Sequence, residues 1–578
     1  MLKCDLGGEY TARKASTTNS SSRRTGCTYE IVCSVKEGVW GVRKVEGGHN
    51  HSIQLDLSGH AIARRPNPEE KQLIINLARS GVAPKNILNQ LKHEFNNHTI
   101  LAEDIYRVIT KEKKEVLDGR SFIEALADVL NTNDYISAVQ IKEERVVSLF
   151  FAHKHCVDFA NRYKTVFVMD CTYKTNKYHM PLLNIVGITS TFHSCNVGFA
   201  FLTDESESSY QWALNQFKLV IADPVVLSTD REQALINAIA VVFPQATHLL
   251  CIWHINKNVL TNCKGKFSAE EWAVFMKNWN KIVYSASEQT FFEEYELFKS
   301  TYHDQPSVLA YIETQWIPVK EKFVYCYTSS CMHIGTTSSS RVEGNHHVLK
   351  SYLAISKLNL LEVFNRISLM LSNQAAGLKA AIKKEQLMIS HRHKINLFSS
   401  LLGKVSQFAL DLMLNQYNLA KVEESALAEC SGQFSNIYGL PCKHYIRNCL
   451  FDNTFILLED IHVQWRIDIE VGMPFEEQGQ DDSPKKKILK SVESLLYDGC
   501  NNPSLLMSRI QSLIATPFNK ILPPAVVTKK KGRPVGSKGG ASSKVMRDKS
   551  AFEYVEGRKC SKCKKPGHYV KTCPDLNK

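Results

Sequence analysis

Residues 164–177 read KTVFVMDCTYKTNK, and the fold turns on the Asp that closes the apolar run Val166, Phe167, Val168, Met169. A short β-branched and aromatic run of this kind predicts a buried strand. A carboxylate is costly to bury there without a partner, so Asp170 needs a reason. Outward from it, TVFVMD, LLNIVGITST and CNVGFAFLT predict three consecutive strands and SSYQWALNQFKLVI a helix. PVVLSTD then predicts a strand, REQALINAIAVVF a helix and THLLCIW a further strand. Three adjacent strands followed by alternating elements predict a mixed sheet flanked by helices.

Asp230 repeats the position of Asp170 at the end of an apolar strand. Two strand ends of one sheet open into a shared crevice, where two carboxylates repel unless cations lie between them. Glu343 opens the helical pattern in SSSRVEGNHHVLKSYL and supplies a third oxygen donor. Carboxylates suit Mg²⁺ or Mn²⁺. A pair of such ions about 3.5 to 4 Å apart activates water on one side and stabilises a leaving oxygen on the other. Taken singly, either Asp is as readily a loop or N-cap residue.

A chain of 578 residues is too long for one core and predicts three to five modules. The 44% hydrophobic fraction supports a sizeable core, and 71 Lys and Arg against 58 Asp and Glu give a net charge of +13, which favours polyanionic partners. MLKCDLGGEYTARK lacks the apolar core of a secretory signal, and no window approaches a membrane span, so the expected setting is intracellular with no membrane partner. In a reducing compartment the 17 cysteines read as thiols and metal ligands rather than disulfides.

Residues 1–65 combine Ser, Gly, Arg, Cys and His with strand-like YEIVCSV and VWGVRKV, a small β-rich domain in need of a staple. Residues 66–145 read as a helical connector, opened by PNPEEKQLIINLARSG. Residues 146–425 form the central module. Helices predominate after 255, with Trp272, Trp279 and Trp316 available to a helical core. From about 475 to 555 a polar linker passes into a basic tail.

The tail holds CSKCKKPGHYVKTC, in which Cys560, Cys563, His568 and Cys573 have the spacing of a tetrahedral zinc site. It resembles the retroviral-type zinc knuckle, which implies a grip on single-stranded nucleic acid by Tyr569, Lys562, Lys564 and Lys565 over 556–578. In KKKGRPVGSK, Lys529, Lys530, Lys531, Arg533 and Lys538 flank a Gly-Arg-Pro that resembles an AT-hook, with Arg533 in a narrow A·T minor groove. A nuclear-import run is the compatible alternative. Near the N-terminus Cys4, Cys27, His49 and His51 form a C…C…H-x-H set, with Cys33 as a spare. The His-Asn-His at a strand end would point both rings to one side.

With Trp40, that set resembles the zinc-stapled DNA-binding domain of the FAR-RED IMPAIRED RESPONSE family, related to WRKY and GCM domains. Asp170 in FVMDCTYKTN, Asp230 in VVLSTDRE, Cys251 and His254 in LLCIWHINKN, and Glu343 in SSSRVEGNHHVLKSYL resemble, in order, the motifs of Mutator-like element (MULE) transposases. Cys251 and His254 are a shared feature of that core, or a buried Cys beside a structural His. A second zinc site there would need two more ligands, with Cys263 a loose candidate. Within 426–450, CSGQFSNIYGLPCKH resembles a SWIM zinc finger in which Cys430, Cys442 and His444 match and Gly432 replaces the second Cys.

The resemblance implies a multi-domain chain. Its centre would be an RNase H-like α/β catalytic core, with an all-helical insertion at about 256–335 and Asp170, Asp230 and Glu343 as the catalytic acids. It further implies Mg²⁺ or Mn²⁺ for catalysis, structural zinc, transposon-end and target DNA as partners, a homo-oligomer and a nuclear location. The alternative is a domesticated, DNA-binding transcription regulator without catalysis.

Overall fold

The computed structural model describes residues 1–468 and 521–526, apart from 9–23, 53–58, 60–61, 96–98, 132–133, 222, 338–339, 354–356 and 423–429. The AT-hook-like run and the Cys560, Cys563, His568, Cys573 array lie outside the described residues.

The N-terminal sheet is antiparallel in the order β1 (Leu2–Lys3), β2 (Glu30–Lys36), β3 (Val39–Glu46). No residue of these strands is buried, and Val39, Trp40, Val42 and Val45 of β3 are all more than half exposed. So small a sheet has no apolar core of its own, as expected of a stapled domain. The connector follows as α1 (Pro68–Arg79), α2 (Pro84–Glu94) and α3 (Ala102–Leu117), which enclose Ile74, Ile87, Leu91, Ile100 and Ile105. Pro68 in the first turn and a reciprocal Asn67–Glu70 capping box, both bonds 2.8 Å, start α1 where the sequence places it. Next, α4 (Phe122–Leu130) already packs on the main sheet.

That sheet begins inside the stretch read as a helical connector. β4 (Tyr135–Lys142) and β5 (Arg145–His153) form a hairpin whose two turn residues, Glu143 and Glu144, have φ of 50° and 57°. Such a turn ordinarily carries Asn-Gly, so Glu-Glu gives no turn signal. After α5 (Lys154–Arg162) come β6 (Val166–Thr172), β7 (Leu182–Ile188), β8 (Ser194–Phe201), α6 (Glu207–Val220), β9 (Val226–Thr229), α7 (Gln233–Val242) and β10 (Thr247–Leu250). The strand order is β10-β9-β6-β7-β8-β5-β4. β10, β9 and β6 are parallel, and every other neighbouring pair is antiparallel. Val166–Met169 are fully buried because both faces of β6 are covered. Phe167 and Met169 pack under α6 and α7, and Val166 and Val168 under the C-terminal helices.

The chain then builds a helical body, α8 (Ile252–Cys263), α9 (Ala269–Val283), α10 (Glu288–Thr301), α11 (Pro306–Gln315) and α12 (Tyr325–Thr328). Its core holds Trp279, Trp316 and Phe275. α13 (Ser340–Leu353) and α14 (Leu360–Leu387) return to the sheet, followed by α15 (Gln407–Val422), α16 (Gln433–Tyr438) and α17 (Lys443–Phe451). Ile437, Leu440, Ile446 and Trp465 are buried, and the last three join Val166, Val168 and Met413 in one apolar layer. The SWIM-like segment is therefore part of the central body rather than a separate finger. Within the stretch read as linker, Leu522 pairs beside the β4–β5 turn: Val146 N–H donates to Leu522 O at 3.2 Å and Ile521 is buried. Among the described residues no helix is long and apolar enough to cross a membrane.

Candidate active site and metal centres

Alternation along β6 puts Val166, Val168 and Asp170 on one face of the sheet. The parallel pairing with β9 matches Val166 to Val226 and Val168 to Ser228, a register that carries on from Asp170 to Asp230, just beyond β9. The two aspartates thus emerge side by side where β9 ends. Glu343 reaches them from the first turn of α13, which is pinned on both sides. Val342 is fully buried, and Arg341 donates to Phe192 O at 3.0 Å while its guanidinium covers the Phe192 ring at 3.9 Å.

Two imidazoles join the carboxylates. His254 Nε2 lies 3.2 Å from Glu343 Oε1, and His346 Nδ1 lies 3.7 Å from Asp170 Oδ2. Burial, then the Asp230 carboxylate, with Glu343 and Glu205 adding, pushes Asp170 up from 3.8 to about 7. Burial likewise raises Asp230, helped by Glu232 and Glu205, and raises Glu343 against the opposing charge of Lys257. Burial, with Lys257 beside His254 and Lys350 beside His346, lowers both imidazoles to about 4.

Three polar neighbours escape a reading of the sequence. Glu205 follows β8 and accepts from the Tyr173 hydroxyl and, at 3.4 Å, from that of Tyr210. Asn184 faces Asp170 across the β6–β7 ladder and donates to Asn196 Oδ1 at 3.0 Å, while its own Oδ1 is buried without a partner. His346 is 8% exposed, and its Nε2 is also buried without a partner. The one sequence signal was the polar run EGNHH in an otherwise amphipathic helix. Raised carboxyls beside the Nδ1 edge of His346 and the Nε2 edge of His254 fit a divalent cation, which would relieve the repulsion.

Cys251 and His254 part company. Cys251 is buried and caps α8, its Sγ accepting from the His254 N–H at 3.4 Å, whereas the His254 ring turns to Glu343. Cys263 sits at the other end of the twelve-residue α8, inside the helical core, and cannot share an ion with Cys251.

Among the described residues, two sets of three or more ligand atoms lie within 4.8 Å of one another: Cys4, Cys27, His49, His51 and Cys430, Cys442, His444. In the first, Cys4 Sγ is 3.2 Å from His51 Nε2, Cys27 Sγ 3.5 Å from His49 Nδ1, and the two ring nitrogens 3.2 Å apart. Tetrahedral zinc with bonds of about 2.3 Å to sulfur and about 2.0–2.1 Å to nitrogen separates its ligands by about 3.4–3.8 Å. Cys4 fills the first position and Cys33 lies outside the set. The rings meet for a reason other than strand alternation. β3 ends at Glu46, and Asn50 holds the following bend by donating to Thr25 O at 2.8 Å. Burial opposes ionisation of Cys27, but hydrogen bonds from the Tyr29 and Asn50 backbone, His49 and Cys4 bring its thiol down to about 6. In the second set, Cys430 Sγ to Cys442 Sγ and Cys442 Sγ to His444 Nδ1 are both 3.7 Å. Gly432, at the fourth position, caps α16 with φ of 70°.

Residues 166–258 match the family described as MULE transposase domain. The chain is similar to Protein FAR1-RELATED SEQUENCE 5 of Arabidopsis thaliana, 25% identical over 347 residues, 56% of this chain and 43% of that protein. It is similar to Protein FAR-RED IMPAIRED RESPONSE 1 of the same plant, 20% identical over 377 residues, 62% of this chain and 44% of that protein. A part of PKS-NRPS hybrid synthetase cheA of Chaetomium globosum is 23% identical over 569 residues, 87% of this chain but 12% of that protein. The chain thus spans less than half the length of each of these relatives.

Proposed function

The chain being a MULE-type, transposase-derived protein, we propose that its acidic crevice cleaves DNA phosphodiesters at transposon ends and joins the freed 3′-hydroxyl to target DNA. The observation that supports this reading is that Asp170, Asp230 and Glu343, on three separate elements, lie near enough for the charges of Asp230 and Glu343 to raise the half-buried Asp170 carboxyl. Three antiparallel strands (β8, β7, β6) followed by two parallel ones (β9, β10), with Asp170 on the first of the five in sequence, support an RNase H-like core. The helical body α8–α12 between Asp230 and Glu343 supports an inserted domain.

Asp170, Asp230 and Glu343 would hold Mg²⁺ or Mn²⁺. When bound, the ions supply an activated water and stabilise the leaving oxygen. The chain's own part is to aim those oxygens from rigid elements and to hold the Asp170 carboxyl well above the usual carboxylate range until a cation takes its place. A covalent protein intermediate is not needed. The zinc-stapled sheet of 1–65 and the basic tail are assigned to DNA, the knuckle to single-stranded nucleic acid, and the assembly to a nuclear homo-oligomer.

The test is to look for terminal inverted repeats flanking the gene and, where they are found, to measure cleavage of a duplex bearing them. Asp170→Asn, Asp230→Asn and Glu343→Gln are each expected to lower cleavage by about a thousandfold or more while leaving duplex binding nearly intact. Unchanged cleavage in any variant refutes the assignment of that residue. A wild type that binds the duplex in both metals and never cuts replaces the enzyme by a non-catalytic DNA-binding regulator.

A further inference from the structure

Resting on the metal-site reading above, we propose that His346 and His254 are themselves ligands of the divalent centre, one imidazole beside Asp170 and one beside Glu343, so that the site prefers Mn²⁺ to Mg²⁺. At 3.7 Å, the His346 Nδ1 to Asp170 Oδ2 separation is too long for a hydrogen bond. Two atoms bound to one cation at about 2.1–2.2 Å, by contrast, stand about 3.0–3.8 Å apart as the angle between them opens from about 90° to 120°. The 3.2 Å between His254 Nε2 and Glu343 Oε1 falls in the same range.

The fold places both rings for this. Glu343 and His346 are one turn apart on α13, the Glu-x-x-His spacing with which helices present an oxygen and a nitrogen to a shared di-metal centre. His254 occupies the first turn of α8, fixed by the Cys251 cap. His346 is 8% exposed, with Nδ1 turned toward Asp170 and Nε2, on the opposite edge of the ring, without a hydrogen-bond partner. Imidazole is a softer donor than carboxylate. Each one in the ligand set therefore favours Mn²⁺, a transition metal that accepts imidazole nitrogen, over Mg²⁺, which takes oxygen almost exclusively.

The experiment uses the full chain with its Cys-rich sites filled by zinc, Mn²⁺ as the probe, and pulsed electron paramagnetic resonance with and without ¹⁵N-histidine labelling. Bound Mn²⁺ that disappears in Asp170→Asn defines the site. The expected spectrum of that fraction shows directly bound imidazole nitrogen, which changes on labelling and weakens in His346→Gln. The same variant is expected to lose about tenfold or more in Mn²⁺ affinity and clearly less in Mg²⁺ affinity, so the ratio of the two falls. Asp170-dependent Mn²⁺ without nitrogen coupling overturns the proposal and leaves the histidines holding the carboxylates only. The absence of any Asp170-dependent Mn²⁺ overturns the metal-site reading itself. Should His346→Gln not fold, the labelling comparison on the wild type still decides.

Discussion

Removing the Asp170 charge tests whether this carboxylate serves the site or the fold. Its carboxyl is held at about 7 against an ordinary 3.8. At about 1.4 kcal/mol per tenfold, that difference amounts to about 4 kcal/mol of stability withheld from the cation-free protein once the group is ionised. The sign follows from proton binding. Between about pH 4 and 7 the folded state holds the proton and the unfolded state has lost it, so stability is greatest below pH 4 and declines up to about pH 7. Near pH 5 less than half of the cost is present, and by pH 8 nearly all of it. Asp170→Asn keeps the shape and removes the charge. Part of the cost is shared with Asp230 and Glu343, so the expected gain is about 1–3 kcal/mol at pH 8, shrinking toward pH 5. Urea melts of wild type and variant at both pH values, with zinc present and Mg²⁺ and Mn²⁺ withheld, measure it. Added Mn²⁺ is expected to stabilise the wild type at pH 8 and to do much less for the variant. A variant about 1 kcal/mol less stable at both pH values, as for a lost N-cap, refutes the reasoning.

The N-terminal sheet has no buried strand residue, and the proposed zinc at Cys4, Cys27, His49 and His51 would be its staple. Cys27→Ser or His51→Ala is therefore expected to release one zinc per chain and unfold β1–β3 while the core melt stays in place, because structural zinc in such modules is worth about 10–16 kcal/mol. Zinc stoichiometry and amide exchange over 24–52 read this out. In the SWIM-like set, a Cβ on Gly432 meets only Asn436 Nδ2 at 3.7 Å, so a side chain has room there, but φ of 70° strains it. Gly432→Cys is expected to cost about 1 kcal/mol in the metal-free protein and to raise zinc affinity at Cys430, Cys442 and His444 by tenfold or more. A chelator competition that finds no tightening shows that the fourth position points elsewhere.

How far the chain explains itself depends on the range of the interaction. Local signals are complete within a few residues, and they sufficed for β6 to β10, for α1 with its Asn67–Glu70 box, and for placing Asp230 just past a strand and Glu343 in a first helical turn, whereas Asp170, read as a strand end, lies inside β6, which runs on to Thr172. They misled where the local code was atypical. Glu143 and Glu144 turn the β4–β5 hairpin without the usual residues, and the His49–His51 pair closes through Asn50 and Thr25 rather than along a strand. The residues 426–450 and 521–526 carry no periodicity that reveals docking, yet Leu440, Ile446 and Ile521 are buried in the central body. Above all, no local pattern joins Asp170 to His346 or His254 to Glu343, because those meetings depend on β9 lying parallel beside β6 and on α13 crossing the sheet. The sequence by itself determined which residue types stand at element ends, since that is set by propensity and alternation over a few residues. Only the tertiary structure decided which ends share a crevice, because burying both faces of one sheet is a property of the whole chain.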